Sequence, residues 1–145
     1  MKNLNTKNIK FKGKDVNGKW RFGGIYGLIA PHIIHDWQFT EVDPKTVSQF
    51  TGAIDCESKD IYEYDFVIFI DGGETPKIVI RDRWHPEFRL QSCNKEGFLM
   101  GLSYTLDYEQ SREAFKVVGN IFDNPELIPK EVYGRLMEMI KNDDY

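Results

Sequence analysis

Short segments in which apolar and polar residues alternate recur through this chain, and they constrain its fold more than any other sequence feature. Residues 9–14 and 19–22 both alternate with a period of two, which is the signature of a half-buried β-strand. Asn17-Gly18 lies between them and supplies the positive φ angles that a tight hairpin turn requires. We therefore predict a β-hairpin in this region.

The same pattern predicts further strands. They are expected at residues 25–34 (broken at Pro31), 36–40, 61–70, 77–84, 88–93, 98–104 and 115–122. The segment 61–70 is the strongest of them, and the segments 88–93 and 98–104 form a predicted hairpin around residues 94–97.

The last part of the chain changes from strand alternation to a helical pattern. Asn124 and Pro125 carry a helix-start signal, and Pro129 opens a second candidate. From Val132 to Ile140, apolar residues fall at i, i+1, i+4, i+5 and i+8, which is one apolar stripe on a helix. We predict a C-terminal helix that ends near residue 141.

The remaining polar stretches are predicted as connections, with a turn or one short helical turn at residues 43–46 and a loop at residues 105–112. The chain has 145 residues, of which 41% are apolar and 14% aromatic, so it has the size of one domain and enough apolar material for a core. Several short strands at near-regular spacing predict a small barrel or a tightly curled antiparallel sheet.

An ordered set of short motifs resembles a known family. The set consists of Phe11-Lys-Gly-Lys14, Gly18-Lys-Trp20, Val42-Asp-Pro-Lys-Thr-Val47, Gln49-Phe-Thr-Gly52, Ile61-Tyr-Glu63, Asp65-Phe-Val67, Val117-Val-Gly-Asn-Ile121 and Asn124-Pro-Glu-Leu127. In this order and spacing the motifs resemble the YopX family of phage and prophage proteins, over residues 9–128.

This resemblance implies a small SH3-like barrel at residues 51–128, in agreement with the strands predicted there. Together with the residue patterns, it gives a mainly β fold in which an N-terminal β-hairpin region at 1–50 precedes the barrel. A short C-terminal helix with its tail at 129–145 follows, and this helix lies outside the resemblance. The resemblance also implies a phage or prophage origin, but no activity and no catalytic residues. The chain departs from the family pattern at residues 56–60 and at Tyr64, where members usually have Gly. Because Tyr does not readily adopt positive φ, the resemblance does not fix the geometry of that turn.

Charge and cysteine content bear on location and partners. The net charge is −4, and the one basic stretch is Lys2, Lys7, Lys10, Lys12, Lys14, Lys19 and Arg21. A solvated strand pair explains this stretch better than a phosphate-contacting arm does. The longest uncharged stretch, residues 22–35, is too short for a membrane helix. Two cysteines fit a reduced protein, so we expect a cytoplasmic location, although a bridge between Cys56 and Cys93 stays open.

Metal-ligating residue types occur without a convincing site. His32, His35 and Asp36 are close in sequence, but residues i and i+3 of a strand point to opposite faces, so the histidines would not converge. His85 or Cys93 would complete a zinc site only if folding happened to bring them near. We expect no metal and no cofactor.

Five acidic residues cluster in the middle of the chain: Asp55, Glu57, Asp60, Glu63 and Asp65. The glycine that a calcium loop needs at its sharp bend is missing, and no pocket is evident that would separate the pKa values of two carboxyl groups. A structural role is favoured over a binding contact, and both are favoured over catalysis.

Other reactive residue types also lack catalytic context. The glycines of residues 23–27 are predicted to bend a strand and do not form a phosphate loop. No nucleophile-elbow context surrounds the serines, which are Ser48, Ser58, Ser92, Ser103 and Ser111. Neither Cys56 nor Cys93 has surroundings that would lower the pKa of its thiol.

Aromatic and basic residues interleave in the N-terminal third of the chain. The aromatic residues are Trp20, Phe22, Tyr26, Trp37 and Phe39, and the basic residues are Lys19 and Arg21. Such a pattern can stack single-stranded bases, but it is also typical of a packed strand face. A core or subunit interface is the favoured interpretation, ahead of nucleic acid or another ligand.

The sequence therefore predicts a non-enzymatic interaction or assembly module that associates with itself or with a host or phage protein, through residues that it does not identify. A nucleic-acid-binding phage accessory protein is the alternative, although the acidic balance makes nucleic acid a less favoured partner. A third possibility is an enzyme whose site is assembled from distant loops.

Overall fold

The computed structural model describes residues 9–27, 30–35, 37–72, 75–81, 84, 87–101 and 103–142, without the side chains of Ser103 and Tyr108. The chain divides into two compact units, Met1–Gly52 and Ala53–Tyr145. The first unit is built from strands, and the second combines strands with helices.

Five strands make up the first unit and its exit: β1 (Phe11–Lys14), β2 (Trp20–Tyr26), β3 (His32–His35), β4 (Gln38–Glu41) and β5 (Ser48–Ile54). Their order in the sheet is β4-β3-β2-β1-β5, and neighbours pair antiparallel. The predicted hairpin is confirmed, since β1 pairs with β2 around a turn in which Gly18 has φ 77°.

The connections of the first unit also follow the sequence. The predicted break at Pro31 separates β2 from β3, and a 3₁₀ turn at Pro44–Thr46 follows Asp43, whose carboxylate accepts the Lys45 N–H at 3.0 Å. β5 was not predicted from the alternation pattern.

In its described residues, the second unit contains six strands: β6 (Asp60–Tyr62), β7 (Asp65–Phe69), β8 (Lys77–Arg81), β9 (Phe88–Ser92), β10 (Ser103–Thr105) and β11 (Phe115–Asn120). Five of them form an antiparallel sheet in the order β10-β9-β8-β7-β11, while β6 neighbours β5. The helices described beside them are α1 (Lys95–Leu99), α2 (Tyr108–Ala114) and α3 (Lys130–Asn142). A 3₁₀ turn at Pro125–Leu127 precedes α3.

Two hydrophobic clusters form the core of the second unit. Val67, Val79 and Leu90 belong to the first cluster, and Phe66 and Ile78, which alternate with them along the same strands, belong to the second. The second cluster also includes Val132 and Leu136 of α3. The predicted C-terminal helix is therefore confirmed, and its apolar stripe packs into the core of this unit.

The single strand predicted at residues 61–70 is wrong. The chain turns at Glu63 and Tyr64, so β6 and β7 join different neighbours. The Asp65 carboxylate accepts the N–H of Tyr62 at 2.8 Å and closes this turn. Tyr64 is the third residue of this turn and has φ 70°. Type II turns favour Gly at that position because it requires positive φ, so Tyr64 adopts the backbone conformation of a glycine.

Two helices replace predicted strand and loop. The segment 98–104 was expected to be a strand, but α1 takes up its first residues because the Asn94 side chain caps the N–H of Gly97 at 2.6 Å. The loop predicted at 105–112 contains α2, whose first turn is capped by the Asp107 carboxylate.

The architecture is mainly β, with two antiparallel sheets and a short C-terminal helix. In the described part of the chain, β10 and β11 are the outer strands of their sheet and do not pair with each other, so the sheet is not closed into a barrel. No described helix is long and apolar enough to cross a membrane.

Candidate interaction surface

One face of the first unit's sheet carries most of the aromatic residues singled out in the sequence. Trp20, Phe22 and Tyr26 alternate along β2, so they project from the same face. Phe39 of β4 lies on this face too. It is opposite Ile34, and Ile34 is opposite Gly24, which has the same parity on β2 as the aromatic residues. Phe22, Tyr26 and Phe39 are 48%, 64% and 58% exposed.

A row of lysines lies beside these aromatic side chains. Lys12 pairs with Phe22 and Lys14 with Trp20, so both lysines occupy the aromatic face. The Nζ atoms of Lys12 and Lys14 lie 4.6 Å and 5.3 Å from the centre of the Trp20 ring. Lys10 precedes β1, and its Nζ lies 4.5 Å from the centre of the Phe50 ring. We call Lys10, Lys12 and Lys14 the lysine row.

Lys19 and Arg21, the basic residues predicted to accompany the aromatic side chains, do not belong to this face. Arg21 has the opposite parity on β2, and its Nε donates to Asp15 Oδ2 at 2.8 Å. Lys19 lies in the hairpin turn. The aromatic residues of the face were thus identified from the sequence, but Lys19 and Arg21 are not its basic residues. The basic side chains come from β1, as only the β1–β2 register shows.

A second aromatic group lies at and near the outer strand β4, and we call it the edge patch: Tyr26 of β2, Trp37 of the β3–β4 turn and Phe39 of β4. The rings of Tyr26 and Phe39 meet edge to face, with 5.9 Å between their centres. Trp37 lies at the β3–β4 turn, is 92% exposed and has φ 65°. Positive φ is unfavourable for a bulky residue, so the chain holds a large apolar ring in solvent on a strained backbone.

The turns at residues 15–19 and 55–59 are built almost identically, and we call them the twin turns. Each was expected as a turn, but their likeness was not recognised from the sequence. Asp15 Oδ1 accepts the N–H groups of Asn17 and Lys19, and Asp55 Oδ1 accepts those of Glu57 and Lys59. The signal is Asp-x-x-Gly/Ser-Lys, which occurs at residues 15–19 and again at 55–59. The backbone bond from Lys19 and the side-chain bond from Arg21 keep the pKa of Asp15 below its usual value.

The acidic cluster does not converge on one point. Asp55 and Asp65 are buried and accept backbone N–H groups, Glu63 lies 3.8 Å from Arg81, and the exposed Glu57 lies 3.3 Å from Lys116. Burial, together with the charges of Asp60 and Asp65, raises the pKa of the Tyr62 hydroxyl. These contacts fit the structural role predicted for the carboxylates.

The candidate metal ligands are dispersed. His32 and His35 have opposite parity on β3, and a ring nitrogen of His32 lies 2.8 Å from the carbonyl oxygen of Ala30. Asp36 and His85 lie outside the described residues. Among those that are described, no three His, Cys, Asp or Glu side chains are grouped so that they could hold a metal ion.

The cysteines are separate, since Cys56 is exposed, Cys93 is buried, and both are free thiols. Burial raises the pKa of the Cys93 thiol to about 12, so this thiol stays protonated near neutral pH. The Ser48 hydroxyl donates to the Thr46 carbonyl, and Ser58 has positive φ in the second twin turn.

The fold and its surfaces define a small, mainly β protein whose most distinctive face combines exposed aromatic rings with a lysine row. Exposed apolar patches often mark interaction sites on protein surfaces. The chain belongs to the YopX family: the family model described as YopX protein matches residues 1–129, which confirms the resemblance seen in the motifs. No curated protein matches the chain.

Proposed function

We propose that the protein is a non-enzymatic assembly module that associates with a second copy of itself through β4 and the edge patch. The observation that carries this proposal is the combination of an outer strand with exposed aromatic side chains around it. Family membership supports, as further parts of the proposal, a phage or prophage origin, the bacterial cytoplasm as location and an SH3-like arrangement of residues 51–128.

The backbone of β4 favours association because β4 is one of the two outer strands of its sheet, as far as the chain is described. An outer strand presents backbone N–H and C=O groups that another strand can pair with. Proteins commonly prevent such pairing with Lys, Pro or a bulge on the outer strand. The sequence of β4, Gln-Phe-Thr-Glu, contains neither Lys nor Pro.

The side chains of β4 are compatible with pairing between two copies. In an antiparallel pair centred on Phe39, the two Phe39 side chains face each other and each Gln38 faces a Thr40, so the members of each pair lie on one face of the sheet. No like charges are then opposed across the strands. The contact is isologous, so a two-fold dimer closes without leaving a further copy of the same surface exposed.

Substitution of Trp37 by Gly gives the sharpest test. Relief of the backbone strain should stabilise the fold, whereas loss of the ring should weaken the dimer. Trp37→Gly removes the ring and supplies a residue that tolerates φ 65°. We expect the variant to be at least as stable as the parent in thermal unfolding. We also expect its dimer dissociation constant, measured by sedimentation equilibrium, to rise by about tenfold or more, as for loss of an aromatic anchor.

Trp84→Gly is the matched control, since Trp84 is also exposed, at 80%, but belongs to the second unit. The control should dimerise like the parent protein. A parent protein that stays monomeric over the whole concentration range, or equal weakening by both substitutions, would refute association through β4.

A further inference from the structure

We propose that the face carrying the lysine row binds single-stranded nucleic acid, with phosphates against Lys10 and Lys14 and bases against the neighbouring rings. This proposal is independent of association through β4. The lysine row lies on and next to β1, which β2 and β3 separate from β4. At about 4.8 Å per strand, β1 and β4 are roughly 14 Å apart.

Charge is distributed unequally between the two units. Residues 1–52 contain 8 Lys and Arg against 4 Asp and Glu, a formal net charge of +4. Residues 53–145 contain 11 against 19, a net charge of −8. The overall charge of −4 therefore conceals a basic unit, and a polyanion is the complementary partner of that unit.

The lysine row repeats with the spacing of an extended strand. Lys10, Lys12 and Lys14 are two residues apart, which corresponds to roughly 6.8 Å between neighbours. A similar interval separates successive phosphates in an extended single strand of nucleic acid. Lys12 is only 7% exposed, so the direct phosphate contacts are assigned to the half-buried Lys10 and Lys14, and Lys12 adds positive charge between them.

Aromatic rings lie beside the lysine row, where the bases of a strand with its phosphates against Lys10 and Lys14 would be placed. Phe22 is directly opposite Lys12 in the β1–β2 ladder and is 48% exposed, and Trp20 lies two residues before it on the same face. Bases stack on such rings without sequence preference. In a duplex the bases are already stacked on one another, so a flat sheet face with aromatic rings selects single strands. A single strand carries a flat base beside every phosphate, so it matches the lysines and the rings together, whereas the acidic side chains of a protein match the lysines alone.

The test measures fluorescence anisotropy of a labelled oligothymidine of about 20 nucleotides, longer than the site size of comparable small β folds. We expect binding at low salt that weakens as salt rises, because phosphate contacts release counterions. Lys10→Gln combined with Lys14→Gln should weaken binding at least tenfold and flatten the log–log salt slope by roughly 1.4, for two contacts at about 0.7 each. Phe22→Ser should weaken binding by about tenfold through lost stacking.

The matched control combines Lys19→Gln with Lys45→Gln, which changes the charge of the same unit equally at exposed turn positions. It should bind within a few-fold of the parent protein. If both double variants lost oligothymidine affinity equally, net charge alone would explain the binding, and the assignment to the lysine row would be wrong. Absence of binding at low salt, equal binding of a duplex, or equal competition by polyglutamate would also overturn the proposal, the last in favour of an acidic protein partner.

Trp37→Gly separates this proposal from association through β4. It should leave oligothymidine binding unchanged at protein concentrations at which the parent protein is monomeric. Circular dichroism of each lysine variant checks that the sheet is retained, which is expected because Gln keeps most of the aliphatic stem.

Discussion

Asp15 organises the first hairpin through both of its carboxylate oxygens. Oδ1 accepts the N–H groups of Asn17 and Lys19, at 2.9 Å and 3.0 Å, and Oδ2 accepts from Arg21 Nε at 2.8 Å. All of these donors favour the charged carboxylate, so the pKa of Asp15 lies below the usual 3.8.

The pH dependence of stability should reveal this carboxylate. A lowered native pKa means that the stabilisation is complete above the unfolded-state pKa and is lost as pH falls through the native value. Asp15→Asn removes the charge at every pH. We therefore expect the difference in unfolding free energy between parent and variant to be constant near neutral pH and to shrink below about pH 4, in urea titrations followed by tryptophan fluorescence. A difference that stays the same in strong acid would contradict this role.

At the scale of elements, Tyr64 shows that the packing of a side chain can hold a non-glycine residue at a turn position that favours glycine. Its backbone has φ 70°, yet its ring is only 6% exposed and meets Phe122 edge to face, with 5.7 Å between ring centres. The gain from burying the ring therefore outweighs the strain of about 1–2 kcal/mol that positive φ imposes on a residue with a Cβ.

Glycine substitution should separate these two contributions. Tyr64→Gly relieves the strain but removes a buried aromatic side chain, which alone costs about 3–5 kcal/mol, so we expect a net loss of about 2 kcal/mol. Ser58 has a similar φ of 61° but is exposed, so Ser58→Gly should be neutral or stabilise by up to about 1 kcal/mol. Chemical denaturation measures both changes. Stabilisation by Tyr64→Gly would show that packing on Phe122 contributes little.

The elements also show which parts of the fold were predictable. The Asn17-Gly18 hairpin and α3 depend on local signals, and both were found. The turn at Glu63 and Tyr64 was missed because alternation continues through it, and the reversal depends on the Asp65 carboxylate and on packing of the Tyr64 ring. α2 was missed because its residues are mostly polar, so the cap at Asp107 was the only strong signal for a helix.

The candidate surface was predictable only in part for the same physical reason. The aromatic residues of β2 could be assigned to one face from their alternation. Pairing with the lysine row depends on the β1–β2 register, and the position of β4 at the outside of the sheet depends on the order of all strands. Neither property is local in sequence, so the basic residues of the face were assigned to the wrong positions.

The whole molecule combines a basic unit with an acidic one, so salt should separate its two proposed interactions. Association through β4 relies on backbone hydrogen bonds and aromatic burial, which respond weakly to screening. Binding of oligothymidine relies on phosphate contacts and should fall steeply with salt. We therefore expect sedimentation equilibrium to give a dimer constant that changes less than about threefold over a range of salt that abolishes oligothymidine binding. A dimer that dissociates in parallel with the nucleic acid would instead indicate that the copies are held together by charge.

The twin turns differ in one respect that bears on the order of folding. Asp15 completes its contacts with partners no more than six residues away, whereas Asp55 Oδ2 receives its hydrogen bond from the N–H of Val117, 62 residues later. The Asp15 carboxylate can therefore receive all of these hydrogen bonds as soon as the first hairpin forms. The turn at residues 55–59 lacks the hydrogen bond to Asp55 Oδ2 until β11 has been synthesised and docks. The surroundings of Asp55 therefore reach their native state only after β11 is in place.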